Sequence, residues 1–448
     1  MEYQVKTTPV EKWVINPLSA FISNSIMGGI VLLIAAVVAI ILANSPWSEW
    51  FLGFWKNKIS IGINSELFLN YDLQHWVNDG LISIFFFVLG LELKREIVGG
   101  QLSGFKNAFL PVAVGIGGMV FPALIFLFFN RGQDTEAGWG IPMATDIAFA
   151  LGVLHLLGKK VPTSVKIFLT AFGIVDDLGA ILIIALFYTS EISFVSLGVG
   201  LGFLVVLMLA NKAGVRNTLF YAIVGILCVW LPFLISGVHA TIAAVLVAFT
   251  IPANTKFNEL QFLSKNKKYA NKFDQATVTD SSTVTKEQLH ILKEMKTSAK
   301  HAMTPLQRLE HSMHPIVSFI VMPIFALANA GVVLTMDLDT LVSNNIFVGI
   351  ISGLLIGKLI GIFGVTALLV KLKISNLPRG MTMSHLFGLS IISGIGFTMS
   401  IFITSLAYTD AENIVQAKIG IFVASIIAGV IGFMVLSRNG SKAKKETT

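Results

Sequence analysis

The sequence predicts an all-α polytopic membrane protein, and three observations carry that prediction. Of its 448 residues, 54% are hydrophobic and 13% charged, with a mean hydropathy of +0.79, which is more apolar surface than a soluble core can hide. The apolar residues recur in windows along the whole chain, mostly long enough for helical spans of about 20 residues, whereas barrel strands would show alternating segments of about ten. The charges fall almost wholly between these windows.

About twelve spans are predicted, at 26–44, 76–93, 107–129, 137–158, 163–188, 193–211, 217–233, 237–252, 315–334, 345–370, 384–406 and 416–437. The first run is longer than the apolar core of a signal peptide and lacks a small-residue cleavage site, so it counts as a span. An even number places both termini on one side. Connections after even-numbered spans hold Lys94, Arg95 and Lys106, then Lys159 and Lys160, Lys212 and Arg216, and Lys371, Lys373 and Arg379, with Arg438, Lys442, Lys444 and Lys445 beyond the last span. Connections after odd-numbered spans hold only Lys56, Lys58, Arg131 and Lys418, among acids such as Asp134, Glu136, Glu191, Asp337, Asp339, Asp410 and Glu412. By the positive-inside rule both termini are cytoplasmic. The net charge of +7 is thus a matter of topology and calls for no nucleic acid. The single cysteine, Cys228, lies in an apolar run as a small core residue and excludes an internal disulfide.

Four regions follow: spans one to eight over residues 1–252, an extended cytoplasmic connection over 253–313, spans nine to twelve over 314–437, and a basic tail over 438–448. Within the first, residues 45–75 carry a strand-like alternation around Ile59-Ser60-Ile61-Gly62-Ile63, which predicts an external hairpin. In the long connection, Lys265, Lys267, Lys268 and Lys272 mark a flexible linker, and Thr285 with Gln288 has capping-box spacing that opens an amphipathic helix through about His301. A solvated or membrane-surface role and a regulatory one are both open for that helix.

Three carboxylates, Asp146, Asp176 and Asp177, lie inside apolar windows, where each costs at least about 2.5–3.5 kcal/mol. Pro142 breaks the fourth span between about Pro142 and Asp146, and Ser393-Gly394-Ile395-Gly396-Phe397-Thr398 loosens the eleventh. Each is the middle member of a three-span group, spans 3–5 and 10–12, whose orientations are opposite because seven positions separate them.

The runs Met143-Ala144-Thr145-Asp146-Ile147-Ala148-Phe149-Ala150, Val175-Asp176-Asp177-Leu178-Gly179-Ala180, Gly90-Leu91-Glu92-Leu93-Lys94-Arg95-Glu96, Ser236-Gly237-Val238-His239-Ala240-Thr241 and Gly394-Ile395-Gly396-Phe397-Thr398-Met399-Ser400 resemble the NhaA-type sodium/proton antiporters over about residues 20 to 440. Paired broken helices in inverted repeats, crossing at a midplane site, are the known pattern of such transporters, this family among them. The resemblance implies a transporter of the bacterial inner membrane rather than an enzyme, without a cofactor, exporting Na+ or Li+ in exchange for H+ for pH and sodium homeostasis.

Successive residues on one helix diverge by about 100°, so Asp176 and Asp177 form no close dyad yet can line two sides of one cavity. Sodium prefers hard oxygen ligands, and these carboxylates with the unwound Ala144-Thr145-Asp146 stretch supply them. Protons compete for the same oxygens. Lys358, deep in the tenth span, needs a carboxylate or helix C-terminal carbonyls; the resemblance makes Asp176 its partner. Whether the pair breaks during exchange or statically offsets half-helix ends is open, as is whether Asp146 balances positive half-helix ends or approaches the ion. Two adjacent aspartates resemble the electrogenic pattern. The equivalents of Glu92 and Glu310 take part in the family's pH response; Arg95 and Glu96 share the first one's cluster, and His239 is added as a residue type whose charge changes near neutral pH. The family tends to dimerise through the external hairpin, which implies a homodimer. Two departures stand out, Gln307 where a lysine is frequent and the length of the 253–313 connection. Two other functions satisfy parts of the pattern: a sodium-coupled symporter, which would need groups for an organic substrate, and an intramembrane aspartyl protease, which would need neither Lys358 nor a second broken helix.

Overall fold

The computed structural model describes Asn16 and residues 25–63, 66–189, 192–276, 283–333 and 341–445. Glu191, Asp337 and Asp339, used above to orient the chain, and residues 446–448 of the tail lie outside these.

A helix stands at each of the twelve predicted places. Seven are long and apolar enough to cross a membrane, Phe105–Asn130, Thr163–Phe187, Phe194–Lys212, Thr218–Ile235, Pro305–Asn329, Asn345–Lys371 and Ala411–Arg438, or up to ten if each bent pair counts as one span. The figure of twelve is therefore not reached on length and composition. Ala240–Thr250 has 11 residues, about 16 Å at 1.5 Å per residue, half of a bilayer core. Ile82–Gly99 carries Glu92, Lys94, Arg95 and Glu96 within its length. The class is nonetheless plain: large apolar side chains such as Phe128, Leu186, Phe194 and Val195 point outward, as a lipid solvent requires and water forbids.

Both predicted breaks are present. Asp134–Met143, wound as a tight 3-10 helix, meets Ile147–Leu156 at 42°, and Met383–Ile392 meets Phe397–Ala407 at 44°. Asp134–Met143 packs on Phe397–Ala407, while the third span packs on both the fifth and the tenth. Where the third and tenth spans cross, a Cβ on Gly361 would lie 2.2 Å from the carbonyl oxygen of Gly117, so only glycine allows that approach.

The 45–75 connection contains the expected hairpin, Lys58–Ile63 antiparallel to Glu66–Asp72 with an irregularity at Ile61/Gly62, and also a helix over Ser48–Trp55. Its residues 64 and 65 lie outside the described set. The predicted helix from Thr285 spans Lys286–Ala302, with the capping box to Gln288 formed.

Three expectations are corrected. The lysine-rich stretch from Lys265 to Lys272 is no flexible linker but part of a second helix, Glu259–Gln275, opened by a capping box between Asn258 and Gln261 and packed on Lys286–Ala302; Tyr269 donates to Glu294 at 3.1 Å. Lys418 is not a loop charge. The last helix starts at Ala411, which buries Lys418 two turns in. Cys228 is only partly buried, because the π-helical segment Gly225–Trp230 leaves Ile226 and Leu227 beside it facing outward.

Candidate functional site

The two breaks cross, and backbone freed by unwinding is satisfied across the crossing. Ala144 and Asp146 are extended, which leaves the N–H of Asp146 free to donate to the carbonyl of Ile395 at 2.7 Å. Thr145 Oγ1 donates to the carbonyl of Ser393 at 3.1 Å, and Ser400 Oγ to that of Ile141 at 2.8 Å. Each bond replaces one that a continuous helix would have made within itself.

Asp146 stands where two half-helices begin. Its Oδ1 accepts from the N–H of Phe149 at 3.0 Å as the cap of Ile147–Leu156. Its Oδ2 accepts from Thr398 N at 3.1 Å and Thr398 Oγ1 at 2.6 Å, in the first turn of Phe397–Ala407. A carboxylate shared by two helix N-termini meets both orphan donors and both positive dipole ends, which favours the balancing role left open above.

Lys358 meets the opposite demand. Fully buried in the tenth span, its Nζ donates to Asp176 Oδ2 at 2.7 Å and to the carbonyl of Met143, the last residue of the first half-helix of span four. Asp176 Oδ2 also accepts from the N–H of Thr145 at 2.9 Å. One ammonium thus serves both the carboxylate and the half-helix end.

Asp177 turns the other way. It lines a cavity of about 180 Å³ together with Asp146, Thr398, Glu92, His155 and His314. Its Oδ1 is buried and has no hydrogen-bond partner among the described residues. The four oxygen-bearing residues expected at a cation are therefore split: Asp177 and Asp146 share the cavity, whereas Asp176 and Thr145 stand behind it on Lys358 and Ser393. Among the described residues no three His, Cys, Asp or Glu side chains gather as a metal cage.

At the mouth of the cavity, Arg95 joins the second span to the ninth through Nη1 to Glu310 Oε1 and Nη2 to Glu96 Oε1 at 3.0 Å, within electrostatic reach of Glu92. Lys94 donates to the carbonyls of Phe249 and Ile251 at the end of Ala240–Thr250, a cation on a helix C-terminus. His239 does not join this cluster. It precedes the other end of that helix and meets the carbonyl of Tyr188 at 2.8 Å.

A family model described as Na+/H+ antiporter 1 matches residues 19–436. The chain belongs to that family. It is 46% identical over 428 residues to the Na(+)/H(+) antiporter NhaA 2 of Syntrophotalea carbinolica, covering 95% of this chain and 97% of the relative. It is 47% identical over 420 residues to the Na(+)/H(+) antiporter NhaA 1 of Clostridium beijerinckii, covering 93% and 94%, and 45% identical over 424 residues to the Na(+)/H(+) antiporter NhaA of Sulfurimonas denitrificans, covering 94% and 95%. In this member of the antiporter family Gln307, noted above as a departure, acts locally by closing a capping box with Thr304, accepting from Thr304 N at 3.3 Å. Reading the sequence residue by residue missed His155. Its signal was the helical spacing of Ala148, Leu151 and His155, which puts the histidine on the face that lines the cavity.

Proposed function

We propose that the chain exports Na+, or Li+, from the cell in exchange for H+, electrogenically, across the bacterial inner membrane with both termini in the cytoplasm. The observation that carries this reading is Asp177: a buried carboxylate with an unpartnered oxygen, facing a cavity it shares with Asp146, at the crossing of two broken helices. The names of the relatives support the same exchange.

The chemistry needs only competition. A cation binds the ionised carboxylate of Asp177, a proton neutralises it, and one set of oxygens cannot hold both. Water-poor surroundings strengthen both interactions. Asp176 supplies the second proton-accepting group: a proton or an arriving cation takes the place of Lys358, whose ammonium keeps the Met143 carbonyl. Thr145 holds the unwound chain so that Asp146 stays aimed at the cavity. The Glu92, Arg95, Glu96 and Glu310 cluster gives the mouth a response to pH, with His239 acting from the far end of its helix. The hairpin within residues 45–75 joins two copies.

Everted vesicles from cells expressing the chain should discharge a pH gradient when sodium is added, and Asp177→Asn should abolish the response. Full exchange by Asp177→Asn would sink the site assignment, and sodium-dependent uptake of an organic solute would favour a symporter instead.

A further inference from the structure

Two imidazoles line the cavity of Asp177, His155 and His314, and neither has a part in the exchange set out above. His314 faces the mouth cluster, within reach of Arg95 and His311. His155 belongs to another wall, in the last turn of Ile147–Leu156. The buried Nδ1 of its ring has no hydrogen-bond partner among the described residues; the carbonyl of Leu151, one turn back, lies near it outside hydrogen-bond geometry. A core histidine normally avoids such an orphan, whereas one that changes its protonation with the cavity's contents has a use for it. Nine residues of helix, about 14 Å, separate it from the Asp146 end of the cavity. Lys159 and Lys160 follow at once, in a connection that charge assigns to the cytoplasm.

We propose that His155 governs cytoplasmic entry of the cation to Asp177, the neutral ring admitting sodium and the imidazolium repelling it. It is a positioning residue that acts through the field in the cavity, and the inference rests on the exchange reading above. Lys166 of the fifth span adds positive potential at the ring; Glu92, Asp146, Asp177 and His314 are the other titratable groups that line the cavity. The first span carries no charge, and no charge of the twelfth is among the groups acting on the ring. At about 14 Å and an effective dielectric constant near 20, one added charge changes sodium affinity roughly fivefold to tenfold.

The test is the apparent KM for sodium in everted vesicles at about pH 5 and about pH 8.5, well below and well above the ordinary histidine range. His155→Gln keeps size and polarity without the charge; it should lower KM at the acid pH about fivefold and leave the alkaline value and the maximal rate unchanged. His155→Lys, a fixed positive charge, should raise KM at the alkaline pH by a similar factor. Wild-type values for His155→Gln at both pH values would overturn the proposal. If that variant fails to accumulate, His155→Lys decides alone, and an unmoved alkaline KM overturns the proposal. A wild-type chain that exchanges no sodium would remove the functional reading and this inference together; a wild-type response with an indifferent His155 removes the inference alone.

Discussion

One position separates Asp176 from Asp177, and the 100° turn between them hands the first to Lys358 and Thr145 and the second to the cavity. That divergence follows from helix geometry alone, so it was legible in the sequence; that Asp176 is the one facing Lys358 came only through the family resemblance, because spacing says nothing about where the tenth span sits. The pair is buried on both sides, so its value lies less in attraction than in what removal leaves behind. Asp176→Asn would leave the buried ammonium without its counter-charge, held only by neutral acceptors such as the Met143 carbonyl. Breaking a buried pair in this way costs about 3–5 kcal/mol, whereas replacing both members with apolar groups of similar volume is often neutral. Thermal unfolding of the purified protein should show a clearly lowered midpoint for Asp176→Asn and recovery of most of the loss in Asp176→Leu with Lys358→Met. Equal midpoints for wild type and Asp176→Asn would mean the pair is not what holds Lys358.

The element least legible in the sequence was the helical hairpin between the eighth and ninth spans. Lysines at 265, 267, 268 and 272 suggested linker, yet the less exposed face of Glu259–Gln275 runs through Phe262, Asn266, Tyr269 and Phe273, a helical stripe that a count of charges conceals. Gln288, Ile291 and Ser298 are buried on the partner helix. The two ends of the hairpin are tied together at His301. Its carbonyl accepts from the N–H groups of Lys256 and Phe257, its ring meets Phe257 edge-on at 5.2 Å, and Lys265 covers that same phenyl ring at 3.7 Å. Burial first, then Lys256, Arg216, Lys265 and Lys300, hold the His301 imidazole below its ordinary range. Protonation is thus disfavoured while the ends are tied, so the tie is firmest above the unfolded value of about 6.5 and weakens as pH falls through the lowered one. Hydrogen exchange over residues 295–302, corrected for intrinsic rates, should be faster at about pH 5 than at about pH 8, and His301→Gln should remove the difference. Exchange independent of pH in the wild type would show that the ring does not govern the tie.

At the scale of the whole molecule, a helix stands at every place hydropathy marked, yet hydropathy missed Ser48–Trp55 and Glu259–Gln275 and said nothing of how the halves meet. Windows of apolar residues report immersion in lipid; they are blind to the short helix Ala240–Thr250 crossing only part of the bilayer, and to the charged end of Ile82–Gly99 folding against the ninth span. The broken helices were legible because proline and paired glycines change backbone physics locally. Their crossing was not, since it depends on contacts some 250 residues apart, such as that from Asp146 to Thr398. The contact that sets the separation of the two halves is the Gly117–Gly361 approach, where each glycine would drive a Cβ into the other's backbone. Backbone cannot give way as a side-chain end does, so one methyl group there must push the third and tenth spans apart and move Lys358, one turn away, from Asp176. Gly361→Ala should therefore lower both the yield of monodisperse protein on size-exclusion chromatography and sodium-driven discharge of a pH gradient, severalfold or more for a cost of about 1–3 kcal/mol. Gly364→Ala, whose added methyl would meet only Ile360 at 3.9 Å, should match the wild type in both. If the two variants behave alike, close packing of the glycines is not what fixes the halves, and the ion pair must carry that role.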